Sequence, residues 1–382
     1  MSAPDPTPSA GDAGDAGDAC DACLRRPWLL GELASHLERT GGRLQELLEL
    51  EDADLLQAVA GRRRARLERR MAGFDPEAAR VRAQKAGVQM ICRCAPEYPR
   101  RLADLPNPPK VLHVAGDVDL CLAGLQGLGP GGLTSEPVAV VGTRRPTSYG
   151  LDVARALGRD LAAAGITVVS GMAQGIDSVA HDGALSAGGP TIAILAGSAE
   201  RPYPPSRRSL HRRITSKGAA VSELPPGSGL WRWMFPARNR LIAALAVMTI
   251  VVEAGERSGA LLTAATAASI GRPVGAVPGR ITTAQGAGPN GLLAEGAHLI
   301  TSAQDVLDVL YGVGVRSAAR DRAAELDPQL RPWLEAISAG HDTPAALARV
   351  GLPADKGLQV LSALELSGYI RREPGGRFAV MP

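Results

Sequence analysis

The chain has 382 residues, a net charge of +3 and a pI near 8.7, with 45% apolar, 21% charged and only 3% aromatic residues. These values fit a globular protein with an aliphatic core, long enough for one large domain with smaller ones attached, and a charge bias this mild does not by itself point to nucleic acid. No run reaches the roughly 18–20 apolar residues of a membrane span, and the N-terminus lacks the basic-then-apolar order of a secretory signal, so a cytoplasmic protein with no membrane contact is expected.

Residues 1–23, "MSAPDPTPSAGDAGDAGDACDAC", repeat Gly-Asp-Ala with no large apolar side chain after Met1. Such a stretch cannot offset its ordering entropy, and a disordered tail is expected. Over 24–90 a helical domain is expected, because leucines recur at three- and four-residue spacing in "LLGELASHLERTGGRLQELLELEDADLLQAV", broken at Gly41-Gly42. Its arginine-rich stretch from Arg62 to Arg70 fits either a solvated helix face or an auxiliary polyanion contact. The five cysteines, Cys20, Cys23, Cys92, Cys94 and Cys121, form no obvious disulfide framework. Cys20 and Cys23 form a C-x-x-C within the tail, and Cys92 and Cys94 are closer in sequence than usual zinc ligands, so of the two readings, a structural zinc or reduced, unremarkable thiols, the second is expected, with no metal. A proline-rich segment, "PEYPRRLADLPNPPKVLHVAGD", then leads through a strand at Val111–Val114 to a loop-like insertion, "CLAGLQGLGPGGLTSEP".

The domain at 91–301 alternates apolar strands with helical patterns. The strands are "VAVVG" (138–142), "ITVVSG" (166–171), "TIAILAG" (191–197), "AAVSE" (219–223), "TIVVEA" (249–254), "VGAVPG" (274–279) and "HLI" (298–300). This is the signature of an α/β fold, an extended Rossmann-like doubly wound and mostly parallel sheet covered on both faces. Residues 302–329 read as a linker. Over 330–382, helix, turn and helix precede a hairpin at Gly375-Gly376, the layout of a winged helix whose basic and acidic residues nearly balance.

In such sheets ligands bind outside the carboxyl ends of the strands. There the sequence places Gly142, Thr143 and Arg144, then Ser170, Gly171 and Gly175, then Gly197 with Arg207 and Arg208, and finally Phe235, Arg238, Asn239 and Arg240. Backbone N–H groups, hydroxyls and guanidiniums together favour anions. The loops match neither G-x-G-x-x-G nor G-x-x-x-x-G-K-[ST], and no nucleophile elbow or metal-naming carboxylate pair is present, so no catalytic residue is assigned. Several cradles without a triphosphate motif suit successive phosphates of a polynucleotide. Phe235 fits either a base-stacking platform or a core aromatic. Asp177 and His181 share a helix face, as an acid–base pair or as a loop anchor. Glu223 and Glu253 end their strands and could orient the arginines, and Ser258 reads as a helix cap.

These segments carry a family likeness. "YPRRLADLPNPPKVLHVAGD", "VAVVGTRRPTSYG", "VVSGMAQGIDSVAH", "PYPPSRRSL", "VSELPPG", "FPARNRLIA", "VVEAGERSGALLTA", "VPGRI" and "GPNGLLAEGAHLI" occur in the order seen in the DNA-processing protein A (DprA, or Smf) family, which the chain resembles over roughly Pro96–Thr301. The resemblance implies a non-catalytic single-stranded DNA binder without a cofactor. It implies a homodimer through the Rossmann-like domain that loads RecA in natural transformation or recombination. It also puts DNA contacts at Gly142, Thr143, Arg144, Ser170, Gly171, Gly175 and Arg238–Arg240. The chain departs from the family pattern at Arg207-Arg208, where an asparagine is usual after the Tyr-Pro motif, and at "AGSAE" from Ala196. The alternative is a nucleotide-processing enzyme similar to nucleoside-monophosphate phosphoribohydrolases, but their Pro-Gly-Gly-x-Gly-Thr-x-x-Glu motif is absent from this sequence.

Overall fold

The computed structural model describes residues 19–40, 43–103, 105–119, 121–122, 136–317, 326–367, 369–373 and 375–380. The chain divides into two units, Met1–Arg316 and Ser317–Pro382. Most of the 121–137 insertion and of the 1–23 tail lies outside the described residues. The end of that tail does not fit the expectation of disorder: Ala19 and Cys23 are buried, and the first helix already starts at Asp21.

The front of the first unit holds α1 (Asp21–Leu37), α2 (Leu44–Glu49), α3 (Asp52–Val59), α4 (Arg64–Ala72) and α5 (Pro76–Lys85). The leucine spacing puts Leu29, Leu30, Leu33 and Leu37 on one buried stripe of α1. Each such side chain contributes about 1.5–3 kcal/mol by leaving water. The stripe packs on Leu55 and Leu56 but also on Trp233, Met234 and Ala237 of the α/β layer. Trp233 fastens the contact, its indole donating to the carbonyl of Ala34 (3.1 Å) and its backbone N–H to Glu38 (3.2 Å). The front helices therefore share a core with the α/β part instead of holding one of their own. On α4, Arg64 pairs with Glu68 and Arg70 with Glu32 of α1, while Arg62, Arg63, Arg66 and Arg69 face solvent.

A strand absent from the sequence reading follows. β1 (Val88–Cys92) pairs antiparallel with β2 (Val111–Gly116), Met90 opposite His113. It is short and interrupted by exposed Gln89, so it has no clear period. After the short α6 (Arg100–Ala103) come β3 (Val138–Val141), β4 (Val168–Ser170), β5 (Thr191–Ile194), β6 (Ala219–Ser222), β7 (Met248–Val251), β8 (Val274–Ala276) and β9 (His298–Leu299). Every predicted strand is present. Most run shorter than predicted, because trailing residues such as Gly142, Gly171 and Gly197 have already left the sheet as loops.

The sheet order is β1-β2-β6-β5-β4-β3-β7-β8-β9, parallel from β6 to β9 and antiparallel at β1 and β2. The connecting helices are α7 (Ser148–Ala163), α8 (Ile176–Ser186), α9 (Arg208–Lys217), α10 (Met234–Leu245), α11 (Gly259–Ser269) and α12 (Ala284–Ala294). The chain moves outward from β3 through β6 on one side and returns to build β7 to β9 on the other. That reversal puts a topological switch point between β3 and β7, where open α/β sheets have their crevice. Helices α7 and α8 meet backbone to backbone: a Cβ on Gly158 would lie 2.2 Å from the Ala180 carbonyl oxygen, and one on Gly183 2.3 Å from that of Arg155.

Part of the expected linker is helical. α13 (Ala303–Tyr311) starts in a capping box between Ser302 and Asp305. The second unit has the expected winged-helix order, α14 (Arg331–Ser338), α15 (Pro344–Arg349) and α16 (Ala354–Leu366) before the hairpin of β10 (Ile370–Glu373) and β11 (Arg377–Val380). Trp333, Ile337, Leu347, Leu361, Leu364, Ile370 and Phe378 form its core. Among the described residues, no helix is long and apolar enough to cross a membrane.

All five thiols are free, as expected, but four of them are not scattered. The sulfur atoms of Cys20, Cys23, Cys92 and Cys94 all lie within 4.8 Å of one another, because the fold sets the start of α1 against the end of β1.

Candidate functional site

The loops leaving β3 and β4 interlock. A Cβ on Gly175, whose φ is +94°, would lie 2.3 Å from the Thr143 carbonyl oxygen, and one on Gly142 would lie 2.6 Å from Ile176. Gly171 makes room for an arginine, since a Cβ there would fall 2.0 Å from Nη1 of Arg238. These glycines let protein approach protein, not ligand approach backbone.

The anion cradle itself exists, and it is occupied from within. Asp177, buried on the first turn of α8, is faced by the backbone amides of Ala173, Gly142 and Gly171 and by Arg238. Burial raises its pKa; Arg238 and the three amides oppose that rise. The N–H groups expected to meet a phosphate thus meet the chain's own carboxylate. Arg238 crosses beneath the loops, donates to the Ile194 carbonyl and leaves its buried Nε without a protein partner among the described residues. Burial lowers its pKa to about 10, with Asp177 holding it up.

Two further assigned contacts turn inward. The Ser170 hydroxyl is fully buried and donates to the Val140 carbonyl (2.6 Å). Arg240 is 3% exposed and donates to Glu223 (2.7 Å), to Oδ1 and the carbonyl of Asn107 (both 3.1 Å) and to the Ala237 carbonyl (2.9 Å). It ties α10 to β6 and the proline-rich segment, with Glu223 orienting it as expected. Glu253 orients no arginine: its carboxylate accepts from the Thr147 amide (2.8 Å) and hydroxyl (2.5 Å). His181 bonds Thr191 (2.7 Å), whose hydroxyl passes on to the Val168 carbonyl (2.7 Å), so it anchors α8 to the sheet and makes no pair with Asp177. Burial lowers the His181 pKa to about 3. Ser258 caps α11 at the Ala260 amide (3.3 Å).

What remains open is a depression of about 110 Å³ lined by Arg144, Gln174, Gly197, Arg201, Tyr203 and Phe235, with Arg238 in its floor. The Arg144 guanidinium lies 4.8 Å from the centre of the Phe235 ring, and the Tyr203 ring lies 5.6 Å from Phe235 at a 57° tilt. Phe235 is thus neither a free platform nor an ordinary core residue; it is half-buried, and it joins the depression to a second one. That one continues past Gly142 and Asn239 to Ser258, Leu262 and Thr263 at the start of α11. Asn239 donates to the Gly259 carbonyl (3.2 Å). Arg207 and Arg208 line neither depression and sit at the opening of α9. Arg201 and Tyr203, which the sequence reading passed over, line the first instead. The signal was their place in "ERPYPP", nearer the strand end than the arginine pair.

A doubly wound sheet with exposed arginines and an aromatic pair at its switch point defines a Rossmann-like α/β protein with a basic mouth. Comparison with known proteins gives the particular family. The model of "DNA recombination-mediator protein A" matches residues 89–311, and that of the DprA winged helix domain matches 317–376. The chain belongs to the DprA family of recombination mediators and DNA-processing proteins. A curated relative from Mycobacterium tuberculosis is 41% identical over 261 residues, 66% of this chain and 67% of that one. Protein Smf of Escherichia coli is 34% identical over 288 residues, 73% of this chain and 74% of that one. The X-ray structure of DNA processing protein A from Streptococcus pneumoniae aligns with a TM-score of 0.59 at 31% identity, covering 75% of this chain and 95% of that one.

Proposed function

We propose that the protein binds single-stranded DNA in the twin depression at the switch point and delivers it to RecA, without catalysing a reaction on the strand. The observation that carries this reading is the Arg144–Phe235–Tyr203 group. A solvent-facing guanidinium beside two accessible rings is what successive phosphates and unpaired bases require, and stacking tolerates any base sequence. Duplex DNA hides its base faces and gains only the phosphate contact.

The groups that chemistry on a nucleotide needs are used elsewhere. Asp177, Glu253 and His181 hold loops and strands together, and His181 has no exposed surface. The homodimer belongs to the same proposal. Leu299 on edge strand β9 and Ile281 are exposed apolar side chains of the α/β part, 56% and 94% accessible, and are available to a second copy.

The test is fluorescence anisotropy of labelled single-stranded and duplex oligonucleotides across a salt series, with a mononucleotide as competitor. Preference for the single strand, weakened in Arg144→Ala and Phe235→Ala and indifferent to mononucleotide, is the expected result. Saturable displacement by a mononucleotide would instead favour a nucleotide-processing or nucleotide-sensing protein. RecA filament formation on the same strand, with and without the protein, tests delivery.

A further inference from the structure

At the far edge of the sheet, remote in the strand order from the switch point, four thiols converge. Cys20 precedes the first turn of α1 and Cys23 lies within it. Cys92 ends β1 and Cys94 follows in the turn. Three of the sulfur separations are 3.5 Å (Cys92–Cys20), 3.7 Å (Cys23–Cys94) and 3.9 Å (Cys20–Cys94), and all six are within 4.8 Å. A regular tetrahedron of sulfurs at about 2.3 Å from one ion has edges of about 3.8 Å. A disulfide needs about 2.05 Å between sulfurs, and no cysteine is so paired.

The backbone is shaped for this convergence. The chain turns directly after β1, and that turn brings the Cys94 sulfur to the same cluster as that of Cys92 despite their tight spacing. The turn is closed by the Ala95 amide donating to the Cys92 carbonyl (2.9 Å). The other pair, Cys20-x-x-Cys23, is held in place by Arg80 of α5, which donates to the Ala19 carbonyl (3.0 Å) and to Asp21. Beneath lie Leu24, Ala83, Met90 and Val111.

We infer that Cys20, Cys23, Cys92 and Cys94 bind one zinc ion as a closed structural site that clips the start of the helical layer to edge strand β1. Four thiolates and a single-ion cage suit zinc among common divalent ions. With all four positions filled by protein, no place remains for water or substrate, so the ion would stabilise structure and leave DNA binding to the switch point. Cys94 is exposed and Cys20 half-exposed, which gives the ion its route in. Each thiol gives up its proton on binding and no electron is transferred.

The experiment is metal analysis of the full-length chain, expressed with zinc and purified under reducing conditions without chelators. About one zinc per chain is expected, with Cys121→Ser retaining it and both Cys23→Ser and Cys94→Ser losing it. Cobalt added to the zinc-stripped protein should give the charge-transfer and ligand-field bands of a tetrahedral thiolate site. Cys94→Ser is the informative variant, because its side chain is exposed and its loss removes no core packing. A strong chelator should lower Tm in the wild type and leave Cys94→Ser unchanged. Metal-free wild type whose Tm is indifferent to both zinc and chelator, or mass spectrometry showing two disulfides among these four cysteines in freshly reduced and desalted protein, would overturn the site.

Discussion

The floor and the lip of the switch-point depression are built from the same residue types and do opposite work. Arg238 and Asp177 form the floor, backed by a buried layer that holds Ser170, Arg240 and the three glycines of the β3 and β4 loops, and almost every polar group of floor and backing has a protein partner. Arg144, Arg201, Tyr203 and Phe235 form the lip, where charge and ring faces meet solvent. Anion-binding chemistry in a motif is therefore not evidence of ligand contact at each of its residues. In this chain, half of it neutralises an internal carboxylate so that the other half is held in place.

The sharpest way to break this distinction is Arg240→Met. If Arg240 belongs to the buried layer behind the floor, removing it strands Glu223, and urea unfolding should show a loss of about 3–5 kcal/mol, while the protein that remains folded binds the oligonucleotide unchanged. A binding defect without a stability defect would move Arg240 to the lip. Acid should act on the floor next. His181, with a pKa of about 3 in the fold against an ordinary 6.5, stays neutral when folded and takes a proton when unfolded. Its contribution is fully present above pH 6.5 and is lost as pH falls from 6.5 toward 3, so His181→Asn, less stable at neutral pH, should show a shallower loss of Tm across that window.

Substituting exposed Arg144 should leave Tm alone, whereas half-buried Phe235 also packs against the front-helix core and its loss should lower Tm modestly. Phe235→Ala removes a stacking face and should cost about 1–3 kcal/mol of single-strand binding for each base that rests on it. Arg144→Ala should have the smallest effect at moderate salt, with a log–log salt slope flatter by about 0.7 for one phosphate contact. An Arg144→Ala variant that unfolds early would merge lip and floor.

Much of the fold was legible because consecutive apolar runs with glycines at their ends specify strands and the loops after them. The site was legible as a set of loops, not as a set of contacts. Sequence shows that Ser170 and Arg240 stand near strand ends; it does not show which way a side chain leaves the backbone, and both leave inward. Tyr203 and Arg201 were missed for the converse reason, since the irregular segment after β5 has no period to orient them. The cysteine cluster was least legible. Its two halves are separated by about seventy residues, and one half lies on β1, a strand too short to announce itself.

The meshing of α7 against α8 has a mechanical consequence. With Gly158 and Gly183 pressed onto the facing backbone, and Gly142 and Gly175 locking the loops above, the two βα units behave as one beam with no hinge between them. A ligand entering the depression would meet these loops as one closely packed wall. The opposite wall, the 198–204 segment and the first turn of α10, has no such glycine-to-backbone lock and is the side expected to adjust. Adapting the protein to a bulkier ligand would therefore require changes there, while any side chain added at the glycine contacts would jam both units at once.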